Sequence, residues 1–430
     1  MYIKKVLFSL VIILGLLLSS CASATTQPAA SQAPVTTEPA AQPVSITVWD
    51  YYGEATPIKP LIEPFQALHP NITVKYESID WDTTLEKLNV VLTGGTPPDV
   101  VTVDMTWIPR FASLGAFADL KPLSGGMLNG VPWADAYTAG ALKAITYNDQ
   151  IISALYDFDT YALYYRNDLF EQKGIKVPTN WDELMTAAKA LQEGEQYYYE
   201  FDADTFHGSQ WIYENGGALL SPDNKTVVFN SPEAVEGITF DASLLQEGVA
   251  IDWTSDQGER IQGVKDGRIA MFSDGPYYMG IMKSAAPEMA GQWRVATHPY
   301  NKQPGSYLGG TGLAIPTGST QQEAAWEFIQ YAMELENQIG VYTLAGAAPA
   351  LKSALSSPEV NVEDPYFGGQ KAFSVFLQTM ETAIPFPYVD DWSAIDEAFT
   401  NAMQQIALGE LSVQEALDQA AATAQEALNE

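Results

Sequence analysis

The chain has 430 residues, 47% hydrophobic and 17% charged, with 21 basic against 53 acidic side chains and a formal net charge of −32. That balance excludes a nucleic-acid binder, because neutralising phosphates takes clustered Lys and Arg and no dense run of either occurs. Disorder of the whole chain is excluded by the apolar content, and the length suits roughly two to three domains. The single Cys, Cys21, rules out an intramolecular disulfide. Three scattered histidines, His69, His207 and His298, offer no Cys/His cluster for zinc, so neither metal nor cofactor is expected.

The N-terminus reads as an export segment. Lys4 and Lys5 precede an apolar run from Val6 to Leu18, and small residues lead into Cys21, the order of a secretory signal over residues 1–20. The junction Leu18-Ser19-Ser20-Cys21 resembles a bacterial lipobox, in which the Cys after the cut carries diacylglycerol and becomes the new N-terminus. An ordinary signal with an incidental Cys is the alternative. Apart from Val35 and the one charge, Glu38, residues 22–43 are Ala, Ser, Thr, Pro and Gln and should form a flexible leash. An acidic protein is repelled by anionic lipid, so a lipid on Cys21 would be its tether to the outer face of the cytoplasmic membrane.

The folded part opens at Val44. Alternation predicts a strand over Val44–Trp49, followed by Asp50-Tyr51-Tyr52-Gly53-Glu54, a helical stretch from about Ile58 to Leu68 and a strand over Ile72–Tyr76. Asp82 is expected to cap a helix through Leu92, Gly94-Gly95 to stop it, and Pro98–Val103 to form a continuously apolar strand. Further strands are expected at Ala162–Tyr165 and Arg268–Phe272, the latter running into the turn Asp274-Gly275-Pro276-Tyr277-Tyr278. Helices are expected up to Leu191, after Ser231-Pro232, over Ser319–Glu334 and over Ser412–Leu428, the last with a Ser412/Glu415 capping box. Strands alternating with helices imply α/β sheets, which bind ligands beyond the carboxyl ends of their strands.

Those ends carry aromatic residues beside acids: Tyr51, Tyr52 and Glu54 after the first strand, then Asp104, Thr106 and Trp107. A sugar ring needs that pairing, since its C–H face packs on an aromatic ring while its hydroxyl rim hydrogen-bonds to polar groups. The competing reading is that most of the 10 Trp, 22 Tyr and 17 Phe are core. Asp50 and Asp274 are equally readable as structural turn residues.

From Val44 onward the chain resembles the family 1 extracellular solute-binding proteins, the maltose-binding-protein type that serves carbohydrate ABC importers. The matching stretches include Ile46-Thr47-Val48-Trp49, Pro97-Pro98-Asp99-Val100-Val101, Leu163-Tyr164-Tyr165-Arg166-Asn167-Asp168, Pro178-Thr179-Asn180-Trp181, Gly267-Arg268-Ile269-Ala270-Met271, Gly309-Gly310-Thr311-Gly312 and Ala324-Ala325-Trp326-Glu327-Phe328. The resemblance implies a two-lobed α/β periplasmic-binding-protein fold, type II-like, with a hinge and a ligand cleft between the lobes. Residues 44–158 with 311–355 would form one lobe, and 159–310 with 356–430 the other.

By the same resemblance Tyr51, Tyr52, Glu54, Asp104, Thr106, Trp107, Asp159, His207, Gln210, Tyr277, Gly310, Thr311 and Trp392 are the ligand-binding candidates. None would be catalytic. The implied protein is a monomer that delivers sugar to ABC permease subunits, and Pro365-Tyr366-Phe367-Gly368-Gly369-Gln370 is similar to stretches of binders for arabinose, arabino-oligosaccharides or lactose. Maltose itself is not supported. The carboxylate abundance also admits a lipid-anchored glycoside hydrolase, which would need two carboxyls facing one glycosidic bond, and a surface adhesion lipoprotein is the structural alternative. Phosphorylated ligands are disfavoured because the candidate loops hold almost no Lys or Arg.

Overall fold

Seven residues, Val44–Asp50, form the first strand (β1), with Ile46, Val48 and Asp50 buried on one face. The structure, a computed structural model, describes residues 42–53, 56–253, 259–390 and 392–429, apart from the side chains at 82 and 93. The expected signal, Cys21, nearly all of the leash, and Glu54 lie outside the described residues. Every element below belongs to one compact unit, Pro43–Glu430.

Two mixed sheets carry the fold. In the first, β1 pairs in parallel with β2 (Ile72–Ser78) and β3 (Val100–Asp104). The chain then adds β4 (Ala154–Asp159) and passes directly into β5 (Ala162–Arg166), which belongs to the second sheet. That sheet is completed by β6 (Tyr198–Glu200), β7 (Ala250–Ile251), β8 (Ile269–Asp274) and β9 (Trp293–Ala296), in the order β7-β6-β8-β5-β9. The chain returns to the first sheet with β10 (Tyr307–Ala314), which runs antiparallel between β3 and β4. The short strands β11 (Ala348–Pro349) and β12 (Ile384–Pro385) pair with β4 and β10. This is the α/β periplasmic-binding-protein fold expected from the sequence.

Local chemistry explains most element ends. The helix after β2 runs Trp81–Gly94, and its cap is Asp80, not Asp82: the Asp80 carboxylate accepts from the Thr83 amide at 2.9 Å. Both residue types suit an N-cap, and the deciding factor is where β2 releases the chain. Ser231 caps the helix Pro232–Gln246 with Pro at its first turn, and the capping box at Ser412 is complete, both of its bonds being made. The expected helix over Ser319–Glu334 is shorter, Gln322–Ala332, and a second helix, Leu335–Ala345, follows it.

One core cluster joins the first sheet, through Val48, Val101, Leu155 and Leu313, to one face of the second, through Tyr164, Phe272 and Trp293. The other face of the second sheet packs with the C-terminal helices Trp392–Ala407 and Val413–Leu428 through Ile395, Phe399, Met403 and Leu417. Fully burying each such side chain stabilises the fold by about 1.5–3 kcal/mol.

Candidate functional site

Register brings the acids of the site together. β10 lies between β3 and β4, and Thr311 pairs with Asp104 on one side and with Asp157 on the other, while Gly309 pairs with Asp159. The two-residue period of a strand puts Asp157 and Asp159 on one face of β4, and Tyr307, Gly309 and Thr311 on one face of β10. Gly310, between them, has φ of +147°, and a Cβ there would stand 2.3 Å from the Asp157 carbonyl oxygen. Only glycine fits that approach.

These strand ends border a cavity of about 410 Å³. Tyr51, Tyr52, Trp81, Asp104, Thr106, Asp157, Asp159, Gly310 and Thr311 line it from the first sheet and its loops. Tyr277 and Ile281, after β8, and Phe206, from the helix Thr205–Glu214, line it from the elements of the second sheet, with Tyr161 from the passage between the sheets. Tyr307, Ala345 and Ala347 complete the wall.

The polar groups of the lining hold one another in place. Tyr51 donates its hydroxyl to Thr311 Oγ1 at 3.0 Å, and Tyr52 donates to Asp157. Asp157 also accepts the Thr311 amide at 2.8 Å. Asp104 accepts from the amide and hydroxyl of Thr106 at 2.8 and 2.6 Å, and Asp159 accepts from the Tyr307 hydroxyl. Burial pushes the Asp157 carboxyl up to about 7, against the bonds from Tyr52 and Thr311. It also raises Asp104, and it raises Asp159 well above the usual carboxylate range, where Asp274, Asp157 and Asp104 add repulsion.

Tyr277 owes its position to the turn before it. At Gly275 a Cβ would lie 2.0 Å from Asp159 Oδ1 and 2.6 Å from the Tyr277 ring, so a side chain there would displace both. Asp274, which starts the turn, is fully buried and ion-paired with Arg260, and it accepts the Gly275 amide at 2.6 Å. Asp50 is likewise buried, accepting from the Tyr52 amide and from the hydroxyls of Thr56 and Tyr76. Both aspartates are structural turn residues.

Four candidates from the sequence stand away from the cavity. Trp107 is 2% exposed and sits behind the wall, its ring edge-on to Tyr51 at 5.6 Å and tilted against Trp81 at 4.9 Å. Trp81 takes the facing position. Trp392 begins a helix whose stripe of Ile395, Phe399 and Met403 is core, and it packs on Phe386 at 4.8 Å. That helical spacing was visible in the sequence and marks Trp392 as a packing residue. His207 is held by Asp204 and donates its Nε2–H to the Ser273 carbonyl at 3.0 Å, with its ring 4.6 Å from that of Tyr161. A carbonyl only accepts, so His207 is the donor there. Gln210 accepts from the Ser273 hydroxyl at 2.7 Å and donates to Glu214.

Asp157, Trp81, Tyr161, Phe206 and Tyr307 were not among the sequence candidates. Strand alternation from Asp159 could have found Asp157, and alternation from Thr311 could have found Tyr307. Trp81 and Phe206 carry no comparable signal, since each opens a helix whose apolar face is mostly core.

Beneath the site is a buried ionic network. Arg260 pairs with Glu200, Asp202 and Asp274, and its guanidinium lies over Phe272 and Tyr278 at 5.2 and 5.4 Å. Burial pulls the His207 imidazole down, but Asp202 and Asp204 outweigh it and hold the ring up at about 10. Burial likewise raises Glu200, to about 8, in spite of Arg260.

Residues 49–339 match the family model of the bacterial extracellular solute-binding proteins. The chain belongs to that family. It is therefore a binding protein and not an enzyme, and the hydrolase alternative falls. Among relatives, a binding protein of Brucella abortus is 26% identical over 395 residues, covering 89% of this chain and 92% of its own. The lactose-binding protein of Rhizobium radiobacter is 24% identical over 412 residues, covering 86% and 93%. Among solved structures, the GacH receptor of Streptomyces glaucescens, known in complex with acarbose, superimposes with a TM-score of 0.82 at 24% identity, covering 91% of this chain and all of that one. Among the described residues no helix is long and apolar enough to cross a membrane.

Proposed function

We propose that this solute-binding protein captures a sugar or oligosaccharide outside the cytoplasmic membrane and delivers it to the permease of an ABC importer. The observation that carries the reading is the cavity itself: aromatic faces from Tyr51, Trp81 and Tyr277 beside fixed acceptors on Asp104, Asp157 and Asp159. Stacking surface next to hydroxyl acceptors is what a sugar ring can use. The lactose-binding relative and an arabinooligosaccharide-binding relative from Halalkalibacterium halodurans support a carbohydrate of the galactoside or arabinoside kind.

In this reading residues 44–158 with 311–355 and residues 159–310 with 356–430 are lobes that close on the sugar. Closure follows because contacts from both sets of elements are made together only in the closed form, which the ligand then favours. A thermal-shift screen of the purified protein against a sugar library is expected to yield at least one sugar that raises the unfolding midpoint, since a ligand of the folded state stabilises it by mass action. Small-angle scattering with that sugar should give a smaller radius of gyration. A library without a single stabilising sugar would refute the carbohydrate reading.

The tether belongs to the same proposal. Cys21 is the lipid attachment site, and the protein acts as a monomer on a leash at the outer face of the membrane. Labelled palmitate should enter the wild-type protein in cells and not the Cys21→Ala variant; an unlabelled wild type would remove the anchor.

A further inference from the structure

The protein treats its buried acids in two different ways. Around β6 and β8, Glu200, Asp202 and Asp274 are matched by Arg260, while His207 is held between Asp202 and Asp204. In the cavity, Asp104, Asp157 and Asp159 receive only neutral donors from Thr106, Tyr52, Thr311 and Tyr307, and the lining contains no Lys, Arg or His. The Oδ1 oxygen of Asp159 is closed off and has no hydrogen-bond partner among the described residues. Three carboxyls border one cavity with no protein cation among the described lining residues, so a cation entering it would draw them into their ionised form.

Among the described residues the one set of three acidic or histidine ligand atoms lying within 4.8 Å of one another is Asp202, Asp204 and His207, so the cavity carboxylates do not converge as ligands of a metal ion would. Aromatic rings line the same cavity, among them Tyr51, Tyr161, Tyr277 and Tyr307. Ring faces attract an ammonium group through their quadrupole, and a desolvated site strengthens that attraction. We propose that the cleft selects a carbohydrate carrying a protonated amino group, with the ammonium beside the carboxyls of Asp157 and Asp159 on one face of β4 and the sugar ring against the aromatic wall. This rests on the carbohydrate reading above and narrows it. Burial raises all three acids, which is the cost that a bound cation offsets.

The test is calorimetry of the purified protein with matched pairs of sugars: chitobiose against cellobiose, galactosamine against galactose, and further amino sugars each beside its hydroxyl parent. The tightest binder is expected to be an amino sugar, about tenfold or more tighter than its parent, as a charge-assisted bond provides. Its association rate should fall as salt rises, because a chain of net charge −32 steers cations, whereas the parent's should not change. In Asp159→Asn the amino-to-parent affinity ratio should shrink about fivefold or more. If that variant does not fold, as its melting curve will show, the salt series on the wild type decides. Parents that bind as tightly as their amino partners overturn this inference and leave the carbohydrate reading standing. Binding by no member of either series removes both.

Discussion

Arg260→Met should lower the stability of the protein by about 3–5 kcal/mol, the loss typical of removing one side of a buried ionic network. Arg260 is 8% exposed and pairs with Glu200, Asp202 and Asp274, which are still more deeply buried. Without the guanidinium these acids face one another with His207 as the remaining cation among them. The measurement is a denaturant midpoint at neutral pH. Adding Glu200→Gln, Asp202→Asn and Asp274→Asn to the variant should recover much of the loss, because the penalty comes from uncompensated charge and not from the shape of the arginine. A loss below about 1 kcal/mol in the single variant would refute a stabilising role for the arginine in this network. The same substitution should weaken ligand binding, since Asp274 anchors the turn that carries Tyr277.

Tyr277→Ala and Trp81→Ala should each weaken binding of the cognate sugar by roughly tenfold or more. An aromatic face lost from an enclosed wall removes contact area equivalent to about 1–3 kcal/mol. Both residues are only partly buried, so truncation removes the ligand's surface more than the protein's own core. Trp392→Ala supplies the contrast. It is buried against Phe386 in the core of the second sheet's outer face, so its truncation should cost about 3–5 kcal/mol in stability. Affinity of the folded fraction should change little beside the cavity variants. Calorimetric affinity alongside thermal melting separates the two effects. A Tyr277→Ala variant that retains full affinity would sink the stacking role.

How much was legible in the sequence differs by element. Strands β1, β3, β5 and β8 were readable because their periodicity is local, and so were the caps at Ser231 and Ser412, which depend on a few neighbouring residues. Tyr51, Tyr52, Asp104 and Thr106 could be named from position, since the ends of parallel strands are where such sheets open. Asp159, Gly310, Thr311 and Tyr277 came through the family resemblance. Trp107, His207 and Gln210 have suitable chemistry and lie close in sequence to lining residues, yet sequence does not say which way a side chain faces after a loop. Trp81 displaced Trp107 at the wall because its helix begins at the mouth of the cavity, while the short turn Met105–Trp107 folds its own Trp inward.

Local patterns along the chain account for the composition of the site: an acidic chain with aromatic residues at strand ends, whose ordered motifs place it among the solute-binding proteins. Tertiary structure alone decided that Asp104 and Asp157 flank one threonine, that Asp159 lies against Gly275, and that Arg260 serves the acids below the cavity and not those inside it. The reason is separation along the chain. Thr311 meets Asp157 across 154 residues and Tyr51 across 260, and such pairings follow from sheet order and register, which no local pattern encodes.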